Sequence, residues 1–133
     1  MNVKEELSRQ RKELLDLAPT FEAMNIRLFN NMATDYVAES LCRARNNLLD
    51  YMGQMACQYI LTSIGVRVSR NRIKQLQKEF EEANYHFEIE AVAGLDYSVI
   101  NPQRKLINRP EIDELYTLEH YQEFAKQVMN VKG

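Results

Sequence analysis

The sequence predicts an all-α fold, a small bundle of about four helices with one long central helix, and three observations support it. The chain has only four glycines and three prolines in 133 residues, whereas turn-rich β folds use these residues more often. Apolar residues recur at helical spacings of three and four through most of the chain. The helix-breaking residues fall mainly at positions 19, 65, 94, 102 and 110. Because no repeat or linker divides the chain, residues 1–133 are predicted to form a single domain.

The N-terminal part of the chain is predicted to form one charged helix that stops at a proline. Residues 2–17 carry mixed charges, and their apolar side chains share one helical face: Val3, Leu7, Leu14 and Leu17. The segment Ala18-Pro19-Thr20 follows directly. Proline lacks the backbone N–H that a helix interior needs, so this segment is expected to break the helix and to start the next one.

The central helix is predicted to run from Phe21 to about Ile64, and Gly65 is the residue expected to end it. A helix of about 44 residues is long for one element of a compact domain. An interruption is therefore expected at Asn30-Asn31 or at Asn46-Asn47, because asparagine side chains compete with the helical backbone for hydrogen bonds.

The rest of the chain is predicted to contain two further helices and one irregular loop. The third helix runs from about Ser69 to Ala93 and ends at Gly94, and the last helix spans roughly Ile112 to Asn130. Residues 95–111 contain Asn101-Pro102 and Arg109-Pro110, so continuous helix is not expected there. A short β-hairpin is the alternative, because residues 87–91 alternate as a strand does and residues 97–100 could pair with them.

An excess of apolar helix faces predicts a protein interface. When residues 48–64 are placed on a helix, their apolar side chains lie around almost the whole circumference, and only a wedge at Asn47, Gln54 and Gln58 is polar. A helix of this kind must be buried on several sides. A second copy of the chain or another protein is expected to cover part of it, together with a second stripe on the third helix. The candidate interface residues are Tyr51, Met52, Met55, Tyr59, Tyr85, Ile89 and Val92. The alternative is that one chain buries all of these side chains.

Basic residues are segregated into two clusters, although the net charge of the chain is only −2. The first cluster follows Gly65 and the second lies in the predicted loop. With the N–H groups at the start of the third helix, they form a candidate phosphate site: Arg67, Ser69, Arg70, Arg72, Lys74, Lys78, Arg104, Lys105 and Arg109. Nucleic acid or a nucleotide-like ligand would bind there through its phosphates. The alternative is that these cations pair with neighbouring acids or form a solvated face.

The residue patterns of common catalytic and cofactor sites are missing from the sequence. The glycines are too scattered for a phosphate-binding loop or a dinucleotide fingerprint, and His86 and His120 do not form a zinc motif. Cys42 and Cys57 are interpreted as reduced core residues. His120 follows Glu119, but no nucleophile is marked for it. We therefore expect a protein that is not an enzyme and that has no metal or other cofactor.

These patterns favour a non-enzymatic interaction protein, such as an adaptor, an assembly component or an inhibitor, that docks helical surfaces and forms a homo-oligomer. The alternative function is binding of nucleic acid or a phosphorylated ligand through residues 67–78 and 104–109. Residues 1–12 lack the apolar core of a secretory signal. Residues 48–64 are too short and too polar to span a membrane. A cytoplasmic location without membrane partners is therefore expected.

Overall fold

The computed structural model describes residues 2–30, 35–106, 108, 110–112 and 117–130. Within these residues the chain is all-helical, as predicted, and contains no strand. The described part has six helices instead of about four: α1 (Val3–Asn30), α2 (Asp35–Ser63), α3 (Arg70–Glu82), α4 (Ile89–Val92), α5 (Tyr97–Leu106) and α6 (Leu118–Met129). None of these helices is long and apolar enough to cross a lipid bilayer.

Helix α1 continues through Pro19, so the break predicted at this proline is wrong. The proline deprives the Leu15 carbonyl of its helical donor, and the Pro19 ring faces solvent. One face of α1 keeps alternating spacings of three and four on both sides of the proline: Leu7, Gln10, Leu14, Leu17, Phe21, Met24 and Leu28. Because α1 packs along α2, this continuous face outweighs a local cost of about 3 kcal/mol.

Helices α1 and α2 form an antiparallel hairpin. α1 ends at Asn30 and α2 begins at Asp35, so the predicted central helix is interrupted at its first asparagine pair. The second pair, Asn46-Asn47, lies inside α2. Arg45 links the two helices, because its Nε donates to Asn25 Oδ1 and its guanidinium lies 5.1 Å from the centre of the Phe21 ring.

Residues in the left-handed conformation end α2 and α3. Gly65, with φ of 77°, follows α2 as predicted. Asn84, with φ of 63°, ends α3 in the same way, and the Tyr85 N–H donates to the Phe80 carbonyl at 2.8 Å. This hydrogen bond is typical of a helix C-terminus capped by glycine or asparagine. The helix predicted from Ser69 to Ala93 is therefore divided into α3 and α4, which are joined by non-helical residues 85–88.

Residues 97–106 form helix α5, so the predicted irregular loop and its β-hairpin alternative are both wrong here. The Asp96 carboxylate starts the helix by accepting hydrogen bonds from the Ser98 N–H at 2.9 Å and hydroxyl at 3.0 Å. These bonds hold the pKa of Asp96 below its ordinary value. Pro102 lies inside α5 but is exposed. The Asn101 side chain exchanges two hydrogen bonds, of 2.8 and 3.2 Å, with the Ile112 backbone and so holds the next segment against α5.

Helix α6 begins at Leu118, so the predicted start at Ile112 is six residues too early. Thr117 caps the helix, because its hydroxyl accepts a hydrogen bond of 3.3 Å from the His120 N–H. Ile112 is buried in a non-helical segment. Asn130, with φ of 58°, ends the helix where the sequence predicts its end.

The core surrounds the C-terminal half of α2, which contacts α1, α3, α4 and α6. Tyr121 on α6 ties the helices together, since its hydroxyl donates to the His86 carbonyl at 2.6 Å and accepts from the Glu88 N–H at 3.3 Å. Five aromatic rings pack together at this point: Phe80, Tyr85, Phe87, Tyr121 and Phe124. The packed helices therefore bury one end of the hairpin, whereas the described side chains at its other end are half-buried or exposed.

Candidate interaction surfaces

Most of the predicted interface residues are core residues of a single chain, which corrects the argument from apolar excess. Five of them are buried: Met52, Met55, Tyr59, Ile89 and Val92. Tyr85 is half-buried among the aromatic rings. Only Tyr51 of this set is largely exposed, at 47%. Helices α3, α4 and α6 pack on α2, and helices α1, α2 and α6 pack on α4, so these stripes give no reason to expect a partner.

The second predicted basic cluster does not form an anion site in the described residues. Arg104 is only 6% exposed, and its guanidinium donates to Glu88 Oε2 at 3.2 Å and to the Pro110 carbonyl at 2.6 Å. Lys105, its neighbour on α5, is exposed, and Arg109 lies outside the described residues. Arg104 therefore serves the fold, which corrects its assignment as a phosphate ligand.

Replacing Arg104 with alanine is expected to lower the free energy of unfolding by about 2–3 kcal/mol, because Glu88 and the Pro110 carbonyl lose their donor. Urea denaturation followed by circular dichroism measures this change. Lys105→Ala is the matched control on the same helix and is expected to change stability by less than about 0.5 kcal/mol. Equal effects of the two substitutions would contradict the structural role of Arg104.

The first predicted basic cluster is divided between internal bonds and an open surface. Arg67 forms an ion pair with Glu6. Ser69 caps α3, its hydroxyl accepting from the Arg72 N–H at 3.2 Å, while the Arg72 guanidinium donates to Gln75 at 3.2 Å. Four cations of this cluster enter no ion pair with a described residue, and three of the four lie one helical turn apart on α3: Arg70, Lys74 and Lys78. All three of these side chains are exposed.

These three cations line a groove between α2 and α3, which we call the α2–α3 groove. It consists of three depressions, of about 130, 280 and 370 Å³, at the Arg67 end, in the middle and at the Lys78 end. Gln58 lines the first two and Gln54 lines the last two, so the depressions are neighbours along the groove. Apolar side chains line the middle one, with Tyr51 at its edge: Met55, Val68 and Ile73. The groove thus combines an apolar floor with a cationic wall.

A second surface lies at the uncovered end of the hairpin, which we call the arm: residues 17–30 of α1 and 35–49 of α2. Burial on the hairpin stops at Leu14 of α1 and at Met52 of α2, and none of the arm side chains that the structure describes is buried. Ile26 and Leu49 are about half exposed, at 52% and 46%. This surface is not among the predicted interface residues, although the spacing of three and four through Pro19 indicates that an apolar face of α1 continues onto it.

The cysteine and histidine side chains that the structure describes differ in burial and in surroundings. Cys57 is buried, and burial raises the pKa of its thiol, while Cys42 is exposed on the arm. His120 lies on the surface of α6 in a shallow depression whose other residues are acids, a lysine and an amide: Glu119, Gln122, Glu123 and Lys126. Among the described residues no group of histidine, cysteine, aspartate or glutamate side chains could hold a metal ion.

Comparison with known proteins gives no relative for this chain. No family model matches it. No curated protein matches it, and neither does any solved structure.

Proposed function

We propose that the protein is a non-enzymatic interaction protein that assembles as a homodimer through its arm. One observation carries this proposal: the face of the hairpin that the packed helices bury continues onto the arm, where the described side chains are only half-buried or exposed. Residues 42, 49 and 56 of α2 lie seven apart and so share one side of the helix. Ala56 is fully buried, Leu49 is 46% exposed and Cys42 is exposed. The apolar row keeps its character, but the described residues of the chain do not bury its N-terminal half, Cys42 and Leu49.

A second copy is the occupant that fits the arm best. Two helices bury only one stripe between them, whereas four helices packed side by side bury a complete core. Two identical arms related by a two-fold axis would form such a four-helix unit. The arm has three acidic and three basic residues between positions 17 and 49, so two copies can approach without net electrostatic repulsion.

The mass of the protein in solution tests this proposal. Multi-angle light scattering at micromolar concentration is expected to give about twice the chain mass of 15.6 kDa. Leu49→Glu places a carboxylate in the interface of each copy, and we expect it to raise the dissociation constant roughly 30-fold or more. A bismaleimide is expected to join two copies of the wild-type protein through Cys42, because the buried Cys57 thiol is protected.

The matched control is Leu106→Glu, which changes a leucine on α5 that is 85% exposed and lies outside the arm. It is expected to leave the mass and the crosslinking unchanged. A wild-type protein that is monomeric at these concentrations would overturn the proposal, and so would a Leu49→Glu variant that remains dimeric.

The alternative function, binding of nucleic acid or a phosphorylated ligand, has less support. Of the candidate phosphate residues, Arg67 and Arg104 are engaged in ion pairs. Arg67 lines one end of the α2–α3 groove, and Arg70, Lys74 and Lys78 line the rest of it without an ion pair to a described residue. Acidic side chains lie beside them in that groove, at Asp50 and Glu81. A phosphate backbone would therefore meet repulsion as well as attraction.

A further inference from the structure

We infer that the α2–α3 groove binds an acidic amphipathic segment of a partner protein. The groove lies outside the proposed dimer surface, because the arm ends at residue 49 and the groove begins at Asp50 and Tyr51. In this groove the predicted interface residues meet the predicted phosphate-binding residues, since Tyr51 and Met55 line the same depression as Arg70.

The charge of the groove wall selects the chemistry of the segment. Arg70, Lys74 and Lys78 follow one another at intervals of four residues, so their Cα atoms span about 12 Å along α3. None of them forms an ion pair with a described residue. Carboxylates spaced one turn apart on a bound helix would each meet one of these cations.

The floor of the groove selects an apolar anchor. The middle depression, of about 280 Å³, is lined by the side chains of Met55, Val68 and Ile73, with Tyr51 at its edge. A volume of this size accepts one large apolar side chain of the partner. Gln54 and Gln58, one turn apart on α2, also line this depression and can both donate and accept hydrogen bonds. A leucine or phenylalanine flanked by acids is therefore the feature that the groove recognises.

An acidic polypeptide fits this site better than a nucleic acid does. Asp50 lies in the third depression, where its carboxylate accepts hydrogen bonds from Gln54 at 3.1 Å and Gln77 at 3.3 Å, and Glu81 lies in the same depression. A peptide can place neutral residues against these two acids, whereas a polynucleotide carries a phosphate at every step. The apolar floor also offers nothing to a phosphate.

The test selects ligands from a displayed library of random peptides of about 12 residues, which span about 18 Å as helices, on the immobilised wild-type protein. We expect the selected peptides to share aspartate or glutamate residues around one large apolar residue. The tightest peptide is then labelled with fluorescein and titrated by fluorescence anisotropy, beside a version in which each acid is an amide. The amide version is expected to bind at least about fivefold more weakly.

Charge reversal locates the binding site. The double variant with Lys74→Glu and Lys78→Glu is expected to weaken binding about tenfold or more, whereas Lys105→Glu, the same reversal on exposed α5, leaves it unchanged. All three lysines are exposed on helices, and circular dichroism checks that the helical content of each variant is unchanged. Lys74→Gln with Lys78→Gln is the milder second variant and is expected to have an intermediate effect.

Several results would overturn the inference. These are a selection that yields no peptide or only neutral or basic peptides, an amide version that binds equally well, and equal effects of the α3 and α5 reversals. Tighter binding of a single-stranded oligothymidylate than of the selected peptide would assign the groove to nucleic acid instead. The readout is peptide binding and not mass, so its failure leaves the arm proposal standing.

Discussion

Replacing Phe80 with alanine is expected to lower the free energy of unfolding by about 3–5 kcal/mol. Phe80 is fully buried, and its ring centre lies 4.6 Å from that of Phe124 and 5.1 Å from that of Phe87. Two tyrosine rings, of Tyr85 and Tyr121, lie at 5.9 Å. Aromatic pairs at these separations stabilise a core beyond the area that they bury. The substitution therefore removes the side chain that joins α3, α6 and the segment between α3 and α4.

Urea denaturation followed by circular dichroism measures the Phe80 effect. A domain of this size is stable by about 5–15 kcal/mol, so the alanine variant is expected to be partly unfolded at about 37 °C or close to it. Phe80→Leu keeps most of the volume and is expected to cost about half as much or less. Tyr51→Ala removes an aromatic side chain that is half exposed and is expected to cost less than about 1 kcal/mol. An alanine variant at position 80 as stable as the one at position 51 would contradict the central place of Phe80.

The helical character of the chain and several helix ends could be predicted because they depend on local chemistry. A glycine after a long apolar pattern is a strong end signal, and Gly65 adopts the expected left-handed conformation. Asn84 ends α3 in the same conformation, but asparagine is common inside helices as well, as Asn46 shows. The division between α3 and α4 was therefore not visible in the pattern alone.

The effect of the prolines on the helices could not be predicted, because it depends on tertiary packing and not on local chemistry alone. Pro19 and Pro102 both lie inside helices, where the local rule predicts a break. Each ring faces solvent, so the proline displaces no core side chain and the main cost is one lost backbone hydrogen bond. Tertiary packing of the helix face that points away from the proline ring then decides the conformation. The spacing of apolar residues reveals this face only when the pattern is followed across the proline.

The contacts between residues distant in sequence were the hardest feature of the structure to predict. The pattern shows that Met52, Tyr59 and Ile89 need cover, but it does not show whether the same chain supplies that cover. Arg104 carries a charge that a sequence reading assigns to the surface, yet Glu88 and the Pro110 carbonyl allow its burial. The same limitation hid the arm, because exposure of Leu49 follows from where the packed helices stop.

Replacing Leu14 with alanine is expected to lower the free energy of unfolding by about 2–5 kcal/mol. Leu14 is fully buried and is the last buried residue of α1 on the side of the arm. Leu28 lies fourteen residues further along the same face, but it is only half-buried on the arm. The two leucines thus lie on the same face of α1 and differ in how much of each side chain is buried. Chemical denaturation of Leu14→Ala measures the cost of a cavity inside the packed half of the hairpin, and Leu14→Met is the variant expected to keep the fold, at a cost below about 1.5 kcal/mol.

Leu28→Ala is the matched control, and its behaviour depends on the arm. In a monomer it is expected to cost about 1 kcal/mol or less, because the side chain is already partly hydrated. In a dimer formed through the arm, the apparent stability rises with protein concentration, and Leu28→Ala is expected to weaken that rise while Leu14→Ala leaves it in place. Denaturation at two protein concentrations separates these contributions. Equal losses for the two alanine variants at every concentration would contradict the boundary of burial at Leu14, and a wild-type stability independent of concentration would contradict assembly through the arm.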